Sequence, residues 1–267
     1  MDMLANYQLA SKNKIPVMGL GTWQLKPNTE ETVLIALGLG YRMLNTSREY
    51  GNQADIGEAI KISVVNREDV YLIATIEETD EAYEAALSNI ETLGVDYVDL
   101  TLIHRPPLYG AGEELWEGLM RAKKEGLTKD IGVSNYSVRL IKKLVESTGE
   151  MPAVNQIEWS PFGFSLEMKK FCDENGIIIQ AHCPLTRGKR LDNPILIDLA
   201  TIYGKTPAQM LLRWNLQHKI IPLAKAAHAD HLIENIDIFD FVITAEDMDV
   251  LDSLNENYSA LGSPLYE

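Results

Sequence analysis

Residues 70–105 read VYLIATIEETDEAYEAALSNIETLGVDYVDLTLIHR. The run 70–75 is apolar and rich in β-formers, which predicts a strand. The acid-rich stretch that follows gives way to apolar residues at helical spacing over 80–93, and Gly94 stands where a helix would stop. A second apolar run, 97–103, predicts another strand, and it ends on the polar pair His104-Arg105. Strand, helix and strand in that order form the unit of a parallel sheet.

The same rhythm extends in both directions. Upstream, 7–17 reads as a hairpin turning at Lys12-Asn13, and 17–21 as a first barrel strand. Asn28 with Glu30 and Glu31 opens a helix that closes at Gly38 or Gly40. A strand over 42–46 and a helix opened by Asn52, with Ile56, Ala59 and Ile60 on one face, follow. Downstream, strands are expected at 131–133, 153–157, 177–181 and 219–223. Helices are expected at 115–124, 138–147, 166–174, 194–203, 207–217, 230–236 and 245–254. An open doubly wound sheet would carry G-x-G-x-x-G after its first strand, whereas Gly19-Leu20-Gly21-Thr22-Trp23 is too short for that motif. The expectation is therefore one α/β domain over 1–267, a (β/α)8 TIM barrel with an N-terminal hairpin and extra C-terminal helices. Its active site is expected at the C-terminal ends of the strands.

Composition narrows the function classes. Of the 267 residues, 46% are hydrophobic, enough for one large core. The net charge of −15 repels phosphate backbones and anionic headgroups, so neither nucleic acid nor membrane is expected as a partner. No apolar run approaches the roughly eighteen residues of a membrane span, and residues 1–7 do not read as a secretion leader. Cys172 and Cys183 lack C-x-x-C spacing, which fits a reducing, cytoplasmic setting.

The strand ends carry Thr22-Trp23, Asn45-Thr46, Ile76-Glu77, His104-Arg105, Ser134-Asn135, Asn155-Gln156, His182-Cys183 and Ala224-Lys225. Polar groups directly after apolar runs favour a site there. With these motifs in view, the chain resembles the aldo-keto reductase family, closest to prokaryotic reductases of small substrates. The resemblance rests on Gly19-Leu20-Gly21-Thr22-Trp23, Gly40-Tyr41-Arg42, Tyr50-Gly51-Asn52 and Ile56-Gly57-Glu58-Ala59-Ile60. It continues through Leu93-Gly94-Val95-Asp96-Tyr97-Val98-Asp99-Leu100, Leu102-Ile103-His104, Gly132-Val133-Ser134-Asn135-Tyr136 and Asn155-Gln156-Ile157-Glu158. It implies hydride transfer between NADP(H) and a small-molecule carbonyl substrate, by a monomer or weak dimer.

The resemblance places the family's proton-donating tyrosine at Tyr50 and its histidine at His104. The aspartate position becomes Asn45 and the lysine position Ile76, so the tetrad is atypical. Losing one member of a buried ion pair would cost about 3–5 kcal/mol, whereas losing both leaves a neutral, coherent pair of residues. A cation about 4 Å from the phenol, at an effective dielectric of about 20, favours phenolate by about 4 kcal/mol, or roughly 3 pKa units. Without it Tyr50 is expected to stay neutral, so that reduction is weakened and alcohol oxidation weakened further. Glu78 is expected on the face of Ile76, where a carboxylate could act as a base; the simpler reading makes Glu77 and Glu78 solvated loop acids.

For the cofactor, the resemblance assigns Thr22, Ser134, Asn135 and Gln156, with amide and hydroxyl groups suited to a carboxamide. His182 stands at the family's stacking tyrosine. Lys225 and Asn235 match the phosphate and adenine segment. There Ala226 replaces a serine and His231 an arginine, so a weakened phosphate site is expected. Trp23 is assigned to the substrate pocket. Arg105 would either bind a substrate carboxylate or form a surface ion pair. Convergence of His104, His182 and Cys183 on a metal is considered, but their spacing is no metal motif and no metal site is expected. Three classes stay open: a weakened or specialised NADP(H)-dependent reductase, a lyase or isomerase using Tyr50 and His104, and a non-catalytic nucleotide-binding barrel.

Overall fold

The computed structural model describes residues 2–262. Within them the chain opens with an antiparallel hairpin, β1 (Asn6–Gln8) and β2 (Lys14–Pro16), turning where Lys12 adopts a positive φ of 74°. The barrel strands follow: β3 (Gly19–Gly21), β4 (Met43–Ser47), β5 (Tyr71–Ile76), β6 (Val98–Ile103), β7 (Thr128–Ser134), β8 (Val154–Glu158), β9 (Ile178–His182) and β10 (Ile221–Ala224). They pair in parallel, each beside its neighbour in sequence, and β10 pairs with β3 to close the barrel. The expected eight-stranded barrel is what forms.

Helices α1 (Thr29–Leu39), α2 (Gln53–Ile62), α3 (Ala82–Leu93), α4 (Glu113–Lys124), α5 (Val138–Thr148) and α6 (Leu166–Asn175) lie between successive strands. Both α7 (Pro194–Tyr203) and α8 (Pro207–Gln217) separate β9 from β10, and α9 (Ala229–Ile236) and α10 (Ala245–Asp252) follow β10. Local chemistry explains most boundaries. α8 starts with a capping box in which Thr206 and Gln209 satisfy each other's backbone, with Pro207 in its first turn. α1, α3 and α6 end at the left-handed glycines Gly40, Gly94 and Gly176. One glycine in the recognised motif has a packing reason. A Cβ on Gly57 would stand 2.0 Å from the Leu93 carbonyl oxygen, so only glycine lets α2 approach the end of α3.

Several boundaries differ from expectation by two or three residues, and two of them have a local cause. α3 starts at Ala82 rather than residue 80, because the Asp80 carboxylate instead accepts from the Glu77 backbone N–H and closes the turn after β5. β7 starts at Thr128 rather than residue 131. Lys129 stays exposed, but Thr128 and Asp130 are buried: Asp130 accepts a 2.8 Å bond from Asn13 of the hairpin turn, and the Thr128 hydroxyl donates to the Asp130 carbonyl.

Strand pleating sorts the core into two layers. Met43, Tyr71, Ile73, Leu100, Leu102, Val154, Ile221 and Leu223 fill the barrel interior, with Leu9 and Ile15 of the hairpin in the same cluster. Leu20, Leu44, Leu72, Ala74, Ile76, Ile103, Val133 and Ile157 belong to the clusters between barrel and helices.

Candidate active site

The interior changes character toward the C-terminal ends of the strands. Gln156 Nε2 on β8 donates to Asn45 Oδ1 on β4 at 3.0 Å and to Gln180 Oε1 on β9 at 3.1 Å. β4 and β8 are not neighbours, so the first bond crosses the barrel. Asn45, Gln156 and Gln180 are all buried. A neutral amide layer thus lies inside the barrel, each group at least partly satisfied, as burial requires.

Above it sits the rim. A short 3-10 turn, Arg48–Tyr50, directly follows β4 and carries Tyr50. Ser47 Oγ caps the turn by accepting from the Glu49 N–H at 3.1 Å. Asn52 Nδ2 donates to the Thr22 carbonyl at 2.8 Å, tying the following loop to the end of β3. The Tyr50 ring meets His104, just past β6, edge-on with centroids 6.2 Å apart. His104 is held by its own backbone, donating to the Ile76 carbonyl at 2.8 Å and accepting from Asn135 Nδ2 at 3.0 Å.

Glu77 is the main departure from expectation. Rather than a solvated loop acid, it is only 8% exposed. Both its oxygens lie at His104 Nδ1, at 2.9 and 3.0 Å, and Ser47 Oγ donates to Oε1 at 3.1 Å. Burial disfavours its charge, but the bonds from His104 and Ser47 and the nearby Arg105 outweigh that and hold the carboxyl below its ordinary range. Arg105 donates to Glu49 at 2.9 Å, with a second nitrogen 3.9 Å from Glu77 and 4.0 Å from Glu78. It forms the ion pair, the second of the two roles weighed for it.

Ile76 does not join the site. It is 1% exposed and belongs to the outer cluster with Ala82, Ala86, Ile103 and Trp116. Pleating turns its neighbours Thr75 and Glu77 inward instead. A lysine able to reach the phenol would have to stand at an inward position, and a one-residue slip along a strand exchanges its two faces. The expected sharing of a face by Glu78 and Ile76 likewise gives no carboxylate in the site; the inward acid is Glu77.

Among the described residues, no cation is paired with the Tyr50 phenol from inside the barrel. Its pKa is pushed up to about 12, by burial first and then by Glu77 and Glu49, with Arg105 opposing. The phenol therefore stays neutral.

The opposite side of the rim is a platform of uncharged groups. Ser134 Oγ donates to the Gln156 carbonyl at 2.7 Å, and Asn135, in the left-handed region at φ 62°, donates also to Ser134 Oγ at 3.1 Å. Asn135 Oδ1 lies 2.9 Å from His182 Nε2, which must carry the proton of that bond. Burial, with His104 and Arg187 nearby, lowers His182 to about 4, so its ring is neutral. Ser134, Asn135, Gln156 and His182 thus come together as expected, and Gln156 keeps Oε1 without a protein partner among the described residues. A carboxamide presents the matching donors and acceptors.

The remaining predicted residues fall at varied distances from this platform. Thr22 is fully buried, and its hydroxyl donates to the Asn45 carbonyl at 2.9 Å, so that side chain joins β3 to β4. Trp23 is 40% exposed with the Arg187 guanidinium 4.6 Å over its ring. Lys225 and His231 are exposed, His231 standing edge-on to His228, whereas Asn235 is buried on α9. Ligand-type atoms of Glu49, Glu77 and His104 lie within 4.8 Å of one another, but Arg105 already supplies the cation there. Sequence reasoning missed Ser47 and Gln180. Stepping by two from Asn45 and from His182 would have found both.

A closed parallel barrel with a Tyr–His pair facing an amide platform at its C-terminal rim is the architecture of an oxidoreductase-type barrel enzyme. The Aldo/keto reductase family model matches residues 17–256, and the chain belongs to that family. It is similar to an aldo-keto reductase of Mycobacterium tuberculosis, 39% identical over 263 residues, covering 96% of this chain and 93% of the relative. An uncharacterized oxidoreductase of Bacillus subtilis is 38% identical over 254 residues, covering 91% and 90%. Among solved structures, an aldo/keto reductase of Brucella melitensis superimposes with a TM-score of 0.89 at 34% identity, covering 94% of this chain and all (100%) of that one. A Bombyx mori aldo-keto reductase in complex with NADP gives 0.90 at 29% identity, covering 100% and 99%. Among the described residues, no helix is long and apolar enough to cross a membrane.

Proposed function

We propose that this enzyme reduces small carbonyl compounds with NADP(H), through a site specialised by the loss of its interior charge pair. The observation that carries this reading is the placement of Tyr50 and His104, centroids 6.2 Å apart, on the same rim as Ser134, Asn135 and Gln156. The Bombyx mori relative solved with NADP supports the choice of cofactor. When bound, the dinucleotide supplies a hydride. Ser134, Asn135 and Gln156 would hold its carboxamide, and neutral His182 offers a ring face without a competing charge. Lys225, exposed at the end of β10, would meet a 2′-phosphate. With Ala226 and His231 beside it, that grip is weaker than one built on a guanidinium fork.

On the substrate side, Tyr50 and His104 flank the position a carbonyl oxygen would take, and the exposed Trp23 supplies an apolar wall. Fluorescence titration with NADPH and with NADH tests the reading, followed by a panel of aldehydes, ketones and oxo acids. Binding of NADPH and turnover of a carbonyl are expected. Absence of dinucleotide binding at millimolar concentration would sink the proposal.

A second reading has its own support in the Glu77–His104 contact, because a carboxylate-backed imidazole can move protons without a redox partner. Under that reading, a lyase or isomerase would form product with no dinucleotide present, and Tyr50→Phe would abolish it.

A further inference from the structure

The interior of this barrel is lined by neutral groups, while a carboxylate lies at the rim. Asn45 is bonded to Gln156, and Thr75, inward on β5, leaves its buried hydroxyl without a partner among the described residues. Glu77 Oε1 and Oε2 instead meet His104 Nδ1 at 2.9 and 3.0 Å.

An ionised carboxylate only accepts hydrogen bonds, so Nδ1 must carry the proton. Nε2, on the far edge of the ring, has no protein partner among the described residues. The Tyr50 hydroxyl has none either. The backbone bonds to Ile76 and from Asn135 prevent His104 from swinging away, and the Ser47 hydroxyl holds Glu77 from behind.

The charged and titratable groups around this ring are few. β5 and its turn contribute Glu77, with Glu78 reaching only Arg105. The turn after β4 contributes Glu49, 3.8 Å from Nδ1, and Tyr50. The end of β6 contributes Arg105, and the end of β9 contributes His182, held neutral. Two carboxylates therefore face one side of the ring, and one arginine is shared between them.

We infer that Glu77 is a positioning residue that keeps the His104 proton on Nδ1, and that the His104 imidazolium, through Nε2, delivers the proton to the carbonyl oxygen. This rests on the reductase reading above. Reduction places a hydride, with its electron pair, on the carbonyl carbon from a dihydronicotinamide. The carbonyl π pair moves to oxygen, which takes the Nε2 proton. His104 is left neutral with Nδ1–H still on Glu77, and Nε2 regains a proton from solvent. Tyr50 remains a neutral hydrogen-bond donor that orients the oxygen.

Two measurements on the full-length protein test this. The first is nitrogen NMR of protein labelled at histidine, read without any cofactor. His104 is expected as the Nδ1–H tautomer and His182 as Nε2–H, an internal contrast in the same spectrum. Glu77→Ala is expected to return His104 toward Nε2–H. Glu77→Gln preserves shape and an accepting oxygen, so the Nδ1–H tautomer should persist. A neutral His104 ring protonated at Nε2 and bare at Nδ1 in the unaltered protein would overturn the inference.

The second measurement is the pH profile of reduction between about pH 5 and 8, where imidazole ordinarily changes charge. With His104 as acid, kcat rises as pH falls. His104→Gln should lower kcat by about 10²–10⁴-fold, and Tyr50→Phe should act mainly on KM. A flat profile, with turnover abolished by Tyr50→Phe alone, would assign the proton to the phenol and defeat this inference while leaving the reductase reading intact. Failure to bind any dinucleotide would remove both the reductase reading and the proton-transfer step, whereas the NMR result would still decide what Glu77 does to His104.

Discussion

The two sides of the barrel rim are built on opposite electrical principles. From β4 to β6 the functional side chains are charged or bonded to a charge: Glu49, Glu77, His104 and Arg105. From β7 to β9 they are neutral: Ser134, Asn135, Gln156, Gln180 and a His182 that burial keeps uncharged. Neutral amides can line a buried platform because each needs only a hydrogen-bond partner. Charges require partners and some water, and here they lie at the mouth, with Arg105 and Glu49 both exposed. The contrast assigns different tasks. The neutral side keeps its state down to the His182 value of about 4, whereas the Glu77 carboxyl, held below its ordinary range, gives the other side its charge above that range.

Substitutions can break this contrast, beginning with the largest effect. Ile76→Lys buries an ammonium in the outer core and should cost about 3–5 kcal/mol in urea unfolding, with no gain in activity. Thr75→Lys combined with Asn45→Asp places both charges inward instead. That pair should cost less and bring the Tyr50 phenol below its present value of about 12, read by phenolate absorbance. If the Ile76 variant proved the milder one, the assignment of inward and outward faces on β5 would be wrong.

Glu77→Gln comes next. The folded-state pKa of Glu77 is depressed, so its stabilisation is present above the ordinary carboxylate range and disappears as pH falls through the lowered value. The variant should lose about 1–3 kcal/mol at neutral pH and converge with the parent in acid. A gap that persisted in strong acid would point to packing rather than charge.

On the neutral side, Gln156→Leu strands the Asn45 and Gln180 oxygens. A loss of about 1–2 kcal/mol with no pH dependence is expected. Dinucleotide affinity should drop about tenfold, equal to about 1.4 kcal/mol. Lys225→Ala should be smallest in stability, within about 0.5 kcal/mol for an exposed side chain. Its measurable effect should be a narrower gap between NADPH and NADH affinity, and an unchanged gap would remove Lys225 from the phosphate site.

Much of this was legible in one dimension. The alternation of apolar runs and amphipathic stretches, with glycines at helix ends, yields the barrel and most of its boundaries. Polar residues directly after apolar runs mark the rim, and Tyr50, His104, Ser134, Asn135, Gln156 and His182 meet there. Glu77 was not legible as a buried group, because a glutamate after a strand is ordinarily solvated and its partners His104 and Ser47 lie 27 and 30 residues away. Nothing in the local sequence reveals that the Thr22 hydroxyl meets the Asn45 carbonyl, a bond that ties two strand ends together.

By itself the sequence determined the order of elements, the family, and the set of polar groups that end each strand, because periodicity and motif are local properties of a chain. Tertiary structure alone decided which of those groups face one another. Whether Thr75 and Glu77 or Ile76 looks into the barrel depends on where the pleat of β5 falls against β4 and β6, and a one-residue difference reverses the answer. With that face settled, Thr75 and Glu77 look into the barrel and Glu77 is set against His104.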